Sequence, residues 1–290
     1  MALISLDGLS YAYPATDVPA LNGLNLAIEP GTFTALVGRN NAGKTTLCYA
    51  LAGVIPHLYG GTMDGRVTVD GLDTRDSDVA DIALNVGLVM QNPTAQFSGA
   101  RFTVFEEVAF GLENRGVARE EMADRVGLAL ALAGVEDLAD RSPASLSGGQ
   151  QQKVALASVL ACDPRVLVLD EPTTFLDPRA ALALFETLDS LRREGRTIVM
   201  AEHRLEWVAR FADRVLVLDG GRVVLDGPPG EVLASPALAE AGLCPNRYTE
   251  VARLAAGQGM WEAGRPPAVT LEQAVAGLEA GAGIRPGGEG

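Results

Sequence analysis

The spacing of apolar and polar positions changes character several times along the chain. Over the first 75 residues, short apolar runs (LISLDG, LNLAIEPG, FTALVG, RVTVDG) alternate with Gly- and Asp-rich turns. That is the pattern of strands and hairpins. FTALVG is apolar at nearly every position, as expected of a strand covered on both faces, and it leads through GRNNAGKTT into the helical TLCYALAGV. Residues 103–141 carry apolar side chains at three-to-four spacing and predict helices. A further helix is expected near Gln150, then the buried strand RVLVLD, the helix ALALFETLDSLRREG and the strand TIVMA. RVLVLDGGRVVLDG reads as a hairpin whose two glycines supply the positive φ of a tight turn.

Strands alternating with helices around near-continuous apolar runs predict an α/β fold with a mainly parallel sheet. The helix-rich insert from about 92 to 159 is expected to form its own lobe. From about 231 the composition shifts to Ala, Pro and Gly, with two or three short amphipathic segments, and the tail GAGIRPGGEG is expected to be disordered. The length of 290 residues suits one large domain, or a core domain with an extension.

An apolar share of 48% with 21% charged residues reads as globular, and the net charge of −14 argues against a nucleic-acid surface, which needs a basic face. Only Lys44 and Lys153 are lysines; every other basic residue is an arginine. The N-terminus lacks a basic segment followed by an apolar one, so no secretory signal is expected. VGLALALAGV and VALASVLAC are about half the ~18 residues a spanning helix needs. The expectation is a soluble chain able to dock on a membrane protein. Cys48, Cys162 and Cys244 have no metal-ligand spacing and are expected to be buried, reduced thiols.

Three motifs carry chemistry. Gly38-Arg39-Asn40-Asn41-Ala42-Gly43-Lys44-Thr45, followed by Thr46, fits the phosphate loop G-x-x-x-x-G-K-[ST] between a strand and a helix. Small residues let backbone N–H groups wrap phosphates at a helix N-terminus. Asn41 tolerates positive φ where glycine is more usual. In this motif Lys44 neutralises the β- and γ-phosphates and the Thr45 hydroxyl reaches Mg²⁺. RVLVLD ends in Asp170 and Glu171, an acidic turn that beside a phosphate loop takes on roles: Asp170 facing Mg²⁺, Glu171 polarising the attacking water. Leu146-Ser147-Gly148-Gly149-Gln150 opens another helix with small residues, a second anion-binding N-terminus. One nucleotide does not need two such loops from one chain, so the economical reading is two chains, each lending its second loop to the other's nucleotide. His203, after TIVMA, is either a polar residue at a strand end or a catalytic one; His57, in VIPHLYGG, reads as a surface loop residue.

Phosphate loop, LSGGQ and RVLVLDEPT, in this order and spacing, resemble the nucleotide-binding subunit of ATP-binding cassette (ABC) proteins over residues 1 to about 230. The resemblance implies a phosphate-loop NTPase (RecA-like) core, an N-terminal antiparallel β-subdomain, an α-helical lobe carrying LSGGQ and a small C-terminal extension. It further implies that Tyr13 stacks on adenine and that Gln91 touches Mg²⁺ and senses a transmembrane partner. Asp177 would cross a dimer interface as the D-loop aspartate, and His203 would sense the γ-phosphate. Phe175 departs from the small or unbranched residue usual beside that aspartate.

Only about 55 residues separate Gln91 from Ser147, which leaves no room for the coiled coil of DNA-repair cassettes. One acidic cassette also fits poorly with translation factors. MQNPTAQFSGARFTVFEEVAFGLEN, EHRLE and the C-terminal segment are similar to ATPases of energy-coupling-factor (ECF) importers, which take up vitamins, cobalt and nickel. That resemblance implies ATP and Mg²⁺ as ligands and a second ATPase subunit, identical or paralogous. It also implies a transmembrane coupling subunit, a substrate-binding membrane subunit, and a place on the cytoplasmic face of the membrane. The alternative is a soluble ABC regulator or assembly factor without a membrane partner. VFEEVAFGLEN also has a plainer reading, an amphipathic helix packed into its lobe.

Overall fold

A computed structural model describes residues 2–281; of the tail expected to be disordered, Gly281 ends the last helix and residues 282–290 lie outside the described residues. The strands are β1 (Ile4–Ala12), β2 (Leu21–Ile28), β3 (Phe33–Gly38), β4 (Thr62–Val69), β5 (Leu72–Asp73), β6 (Val86–Val89), β7 (Val166–Asp170), β8 (Thr197–Ala201), β9 (Arg214–Asp219) and β10 (Arg222–Gly227). The helices are α1 (Lys44–Leu51), α2 (Val79–Asn85), α3 (Val104–Asn114), α4 (Arg119–Ala133), α5 (Gly148–Ala161), α6 (Pro178–Arg193) and α7 (Leu205–Phe211). Four more follow: α8 (Pro229–Val232), α9 (Ala237–Glu240), α10 (Arg247–Gly257) and α11 (Leu271–Gly281).

Two sheets result. An antiparallel sheet has the order β2-β1-β4-β5, and a six-stranded sheet runs β10-β9-β3-β8-β7-β6. In the larger sheet every pairing is parallel except the β9–β10 hairpin, whose Gly220 and Gly221 take φ of 51° and 74°. This is the α/β arrangement that the apolar runs predict. β3 and β7 are buried at every position, and their two faces serve two cores. Val166 and Val168 point toward α1 and the antiparallel sheet, whereas Leu167 and Leu169 meet Phe185 and Leu188 of α6. Each such side chain contributes about 1.5–3 kcal/mol by leaving water.

The lobe between β6 and β7 has its own core, from Val104, Val108 and Leu112 of α3, Val126 and Leu130 of α4, and Val154 and Ala157 of α5. The segment VFEEVAFGLEN therefore does pack as an amphipathic helix, capped by a Thr103–Glu106 box. α2 escaped the sequence reading. It has seven residues, buries only Ile82 and runs straight into β6, so no apolar stripe announces it. Beyond residue 230, Val232, Leu233, Leu238 and Val269 pack on Ala35, Val37, Val215 and Val217 of the large sheet. The cysteines differ from expectation: all three are free, but only Cys48 is buried; Cys162 is partly exposed and Cys244 exposed. Cys162 closes α5 at the edge of the lobe core, and Cys244 lies in an exposed loop.

Candidate active site

In parallel sheets ligands sit beyond the carboxyl ends of the strands. Here β3, β8, β7 and β6 lie side by side, and their carboxyl ends deliver the phosphate loop, His203, Asp170–Glu171 and Gln91 to one edge. A cleft of about 840 Å³ opens there, lined by Tyr13, Asn40, Asn41, Gly43, Lys44, Thr45, Thr46, Gln91, Glu171 and His203. Gly38 and Ala42 are buried behind its wall, and the Arg39 stem lies against Gly242.

The loop bends where its residues allow it. Asn41 has φ 64° and Gly43 φ 105°. A Cβ on Gly43 would stand 2.7 Å from the Ala20 carbonyl oxygen, so the close approach of the β2 entry needs glycine there. Lys44 is 5% exposed and its Nζ donates to the carbonyls of Gly38 (3.0 Å) and Arg39 (3.1 Å).

Glu171 is the hub. It holds φ 49°, unusual for a residue with a Cβ, and its N–H donates to Ala201 of β8 at 3.0 Å. That kink turns its side chain out of the strand into the cleft. Its Oε1 accepts from His203 Nε2–H at 2.6 Å and lies 3.6 Å from Lys44 Nζ; its Oε2 accepts from Gln91 Nε2 at 2.8 Å. The cleft thus joins residues 44, 91, 171 and 203 around one carboxylate.

Asp170 lies beneath. Strand parity sends it to the α1 face with Val166 and Val168, fully buried, and neither carboxylate oxygen has a hydrogen-bond partner of good geometry among the described residues. Burial pushes its pKa up, with the Glu171 charge adding, while the nearby Thr45 hydroxyl, Lys44 and His203 oppose the shift. An orphaned buried carboxylate beside a threonine hydroxyl is a donor set that suits a hard cation such as Mg²⁺. The Cys48 thiol on α1 is pushed well up by burial and by Asp170, and so stays protonated and inert.

At the other end of the cleft, Tyr13 is half-buried. Its ring meets Tyr11 edge-on at 5.0 Å, and its hydroxyl is 3.2 Å from Thr46 Oγ1. Sequence reasoning missed two lining residues, Ala20 and Thr174. Ala20 shapes the cleft through its carbonyl, which no side-chain motif reveals, and Thr174 donates its hydroxyl to the Glu171 carbonyl at 3.0 Å.

Ser147, Gly148, Gly149, Gln150 and Asp177 do not join this cleft. They line a separate pocket of about 610 Å³ that shares no lining residue with it. Ser147 and Gln150 form a capping box on α5, and Asp177 Oδ1 caps α6 through the N–H groups of Arg179 (2.8 Å) and Ala180 (2.9 Å). Phe175, half exposed, lies against Gly148 in the same pocket. His57 is exposed, as expected, with Nε2 2.9 Å from the Thr74 carbonyl oxygen.

The chain is similar to several known proteins. A family model described as ABC transporter matches residues 21–174, just over half of the chain. The energy-coupling factor transporter ATP-binding protein EcfA1 of Levilactobacillus brevis is 40% identical over 243 residues, covering 83% of this chain and 84% of that protein. Among solved structures, cbiO1 from Clostridium perfringens, described as part of the ABC transporter complex cbiONQ, superposes with a TM-score of 0.70. Its identity is 33%, over 82% of this chain and 93% of that one. The cassette MJ0796, in a dimeric post-hydrolysis state bound to ADP and Pi, superposes with the same TM-score at 27% identity, over 78% and 98% of the two chains. With its sheet order, its cleft at the carboxyl edge and these likenesses, the chain belongs to the ABC transporter family, as the ATP-binding and ATP-hydrolysing cassette of a transporter.

Proposed function

We propose that this cassette powers an ECF-type importer of a micronutrient, a vitamin or a transition metal, and works as one of a pair of ATPase subunits. The observation that carries the catalytic part is the Glu171 carboxylate held among His203, Gln91 and Lys44. In this reading Glu171 accepts the proton of the attacking water, a general base aimed by its neighbours. His203 donates to the γ-phosphate and registers its loss. Lys44 leaves the Gly38 and Arg39 carbonyls for the β- and γ-phosphates, while the backbone of residues 38–46 wraps them. Tyr13 offers its ring to adenine. The Thr45 hydroxyl, the Asp170 carboxylate and the Gln91 amide oxygen would hold Mg²⁺, which when bound neutralises charge on the phosphates.

The signature pocket of Ser147–Gln150, lying outside the cleft, favours a nucleotide held between two chains, with Asp177 and Phe175 at the join. A second copy of this chain supplies all the required parts. In this reading coupling to transport falls to separate membrane subunits at the cytoplasmic face; no helix among the described residues is long and apolar enough to cross a membrane. The loop after Gln91 is their natural contact. Gln96 ties it to the Met90 N–H and the Ala155 carbonyl, Glu107 grips Ser98 at 2.7 and 2.8 Å, and Phe102 stands 84% exposed. The kinship with EcfA1 and cbiO1 supports the ECF assignment and the class of cargo. Co-expression with the membrane proteins encoded beside it should bring the chain into the membrane fraction, with ATPase activity that depends on them. Recovery wholly in the soluble fraction would contradict the importer reading.

A further inference from the structure

Glu202 is a charged side chain, 3% exposed, that the cleft does not use. Its Oε1 accepts from the backbone N–H groups of His203 (2.8 Å) and Arg204 (3.0 Å), and its Oε2 accepts from the Thr173 hydroxyl (2.7 Å). Arg204 closes the arrangement from the other side: its Nη2 donates to the carbonyls of Thr173 (3.3 Å) and Leu176 (3.1 Å). Three hydrogen bonds therefore tie the segment carrying His203 to the loop between Glu171 and Asp177, and two more lock the Glu202 carboxylate onto the segment's own backbone. A buried carboxylate with three donors around it has little freedom to exchange partners, since losing one leaves a charge unsolvated. The clamp also spans the two sites. His203 and Glu171 face the cleft, whereas Phe175, Leu176 and Asp177 form a wall of the signature pocket.

We propose that Glu202 and Arg204 are positioning residues that make the switch-histidine segment and the Thr173–Leu176 loop move as one body. The state of the γ-phosphate in one nucleotide site thereby resets the signature pocket that serves the other chain's nucleotide. This rests on the reading that two chains share each nucleotide. Neither residue lines the cleft, so ATP affinity itself is not their business. A Glu202→Gln change puts an N–H among groups that all donate, and Thr173→Val removes one donor while keeping the shape; Thr173→Ser keeps the hydroxyl.

The test measures ATP affinity, kcat and the Hill coefficient of hydrolysis for these variants and for the Thr173→Val/Glu202→Gln pair. For Thr173→Val and Glu202→Gln the expected result is affinity within about twofold of wild type, kcat down about tenfold and a Hill coefficient falling toward unity. Thr173→Ser should behave as wild type, and the double variant should lose no more than the worse single one. Should Glu202→Gln fail to fold, the milder Thr173 pair carries the test alone. Unchanged kcat and cooperativity in Thr173→Val, or losses that multiply in the double variant, would overturn the clamp. Failure of the shared-site reading shows up separately, as a Glu171→Gln protein that binds ATP and stays monomeric.

Discussion

The N-termini of α1 and α5 offer the same backbone device, helix-start N–H groups on a glycine-bearing turn, and are furnished in opposite ways. At α1 the turn is surrounded by titratable side chains: a buried lysine, Glu171, His203 and, beneath them, Asp170. At α5 the helix caps itself through Ser147 and Gln150, and its neighbours are Phe175, Leu176 and a D-loop aspartate already occupied in capping α6. The first end can bind and cleave. The second can only present dipole and hydrogen bonds to an anion brought to it. Both ends on one chain, in pockets that share no lining residue, are what the proposed pairing of two cassettes would use.

Perturbing each end separately should break this contrast apart. The largest effect is expected at the hub: Glu171→Gln should cut kcat by about 10²–10⁴-fold while ATP still binds, measured by phosphate release and by nucleotide titration. Turnover near wild type would remove Glu171 from the chemistry. At the other end, Gly149→Asp places a Cβ 2.9 Å from the Phe175 carbonyl oxygen and a negative charge at the α5 N-terminus. Hydrolysis should fall about 10²-fold with nucleotide affinity for the isolated chain unchanged, a split that a one-chain site would not give.

Part of this was legible in the chain alone. The alternation of apolar runs predicts the sheet, because β3 and β7 are buried at every position and run almost wholly apolar, with Thr34 inside β3 and Asp170 ending β7. The motifs located ten of the residues lining the cleft, since the phosphate-loop spacing and the residues that follow β6, β7 and β8 can be read directly from the sequence. What stayed hidden acts through backbone or through partners distant in sequence. Ala20 contributes a carbonyl, and Thr173 is legible only once Glu202 is seen 2.7 Å away. Glu202 and Arg204 carried a subfamily likeness in the sequence; their hydrogen bonds give that likeness a physical content.

Smaller effects refine the α1 end. Tyr13→Ala should weaken ATP binding by about tenfold, as expected for a lost base-stacking ring, with kcat at saturation nearly intact. An equal loss for a bare triphosphate would place the tyrosine elsewhere. Asp170 supplies the subtlest case. Burial raises its folded pKa above the unfolded value, so as pH rises the unfolded chain ionises first and the folded protein loses stability across that window. At neutral pH, without Mg²⁺ or nucleotide, Asp170→Asn should therefore melt higher than wild type, and the gap should shrink as pH falls toward the carboxylate range. Equal melting temperatures at neutral pH would mean the carboxylate is already compensated.

The most direct test of the pairing is the mass of the Glu171→Gln protein by light scattering, with and without ATP. A monomer that becomes a dimer holding two nucleotides when ATP is added is expected, and a Gly149→Asp/Glu171→Gln protein that binds ATP yet stays monomeric. A Glu171→Gln chain that saturates with ATP and remains a monomer at every concentration would contradict the pairing.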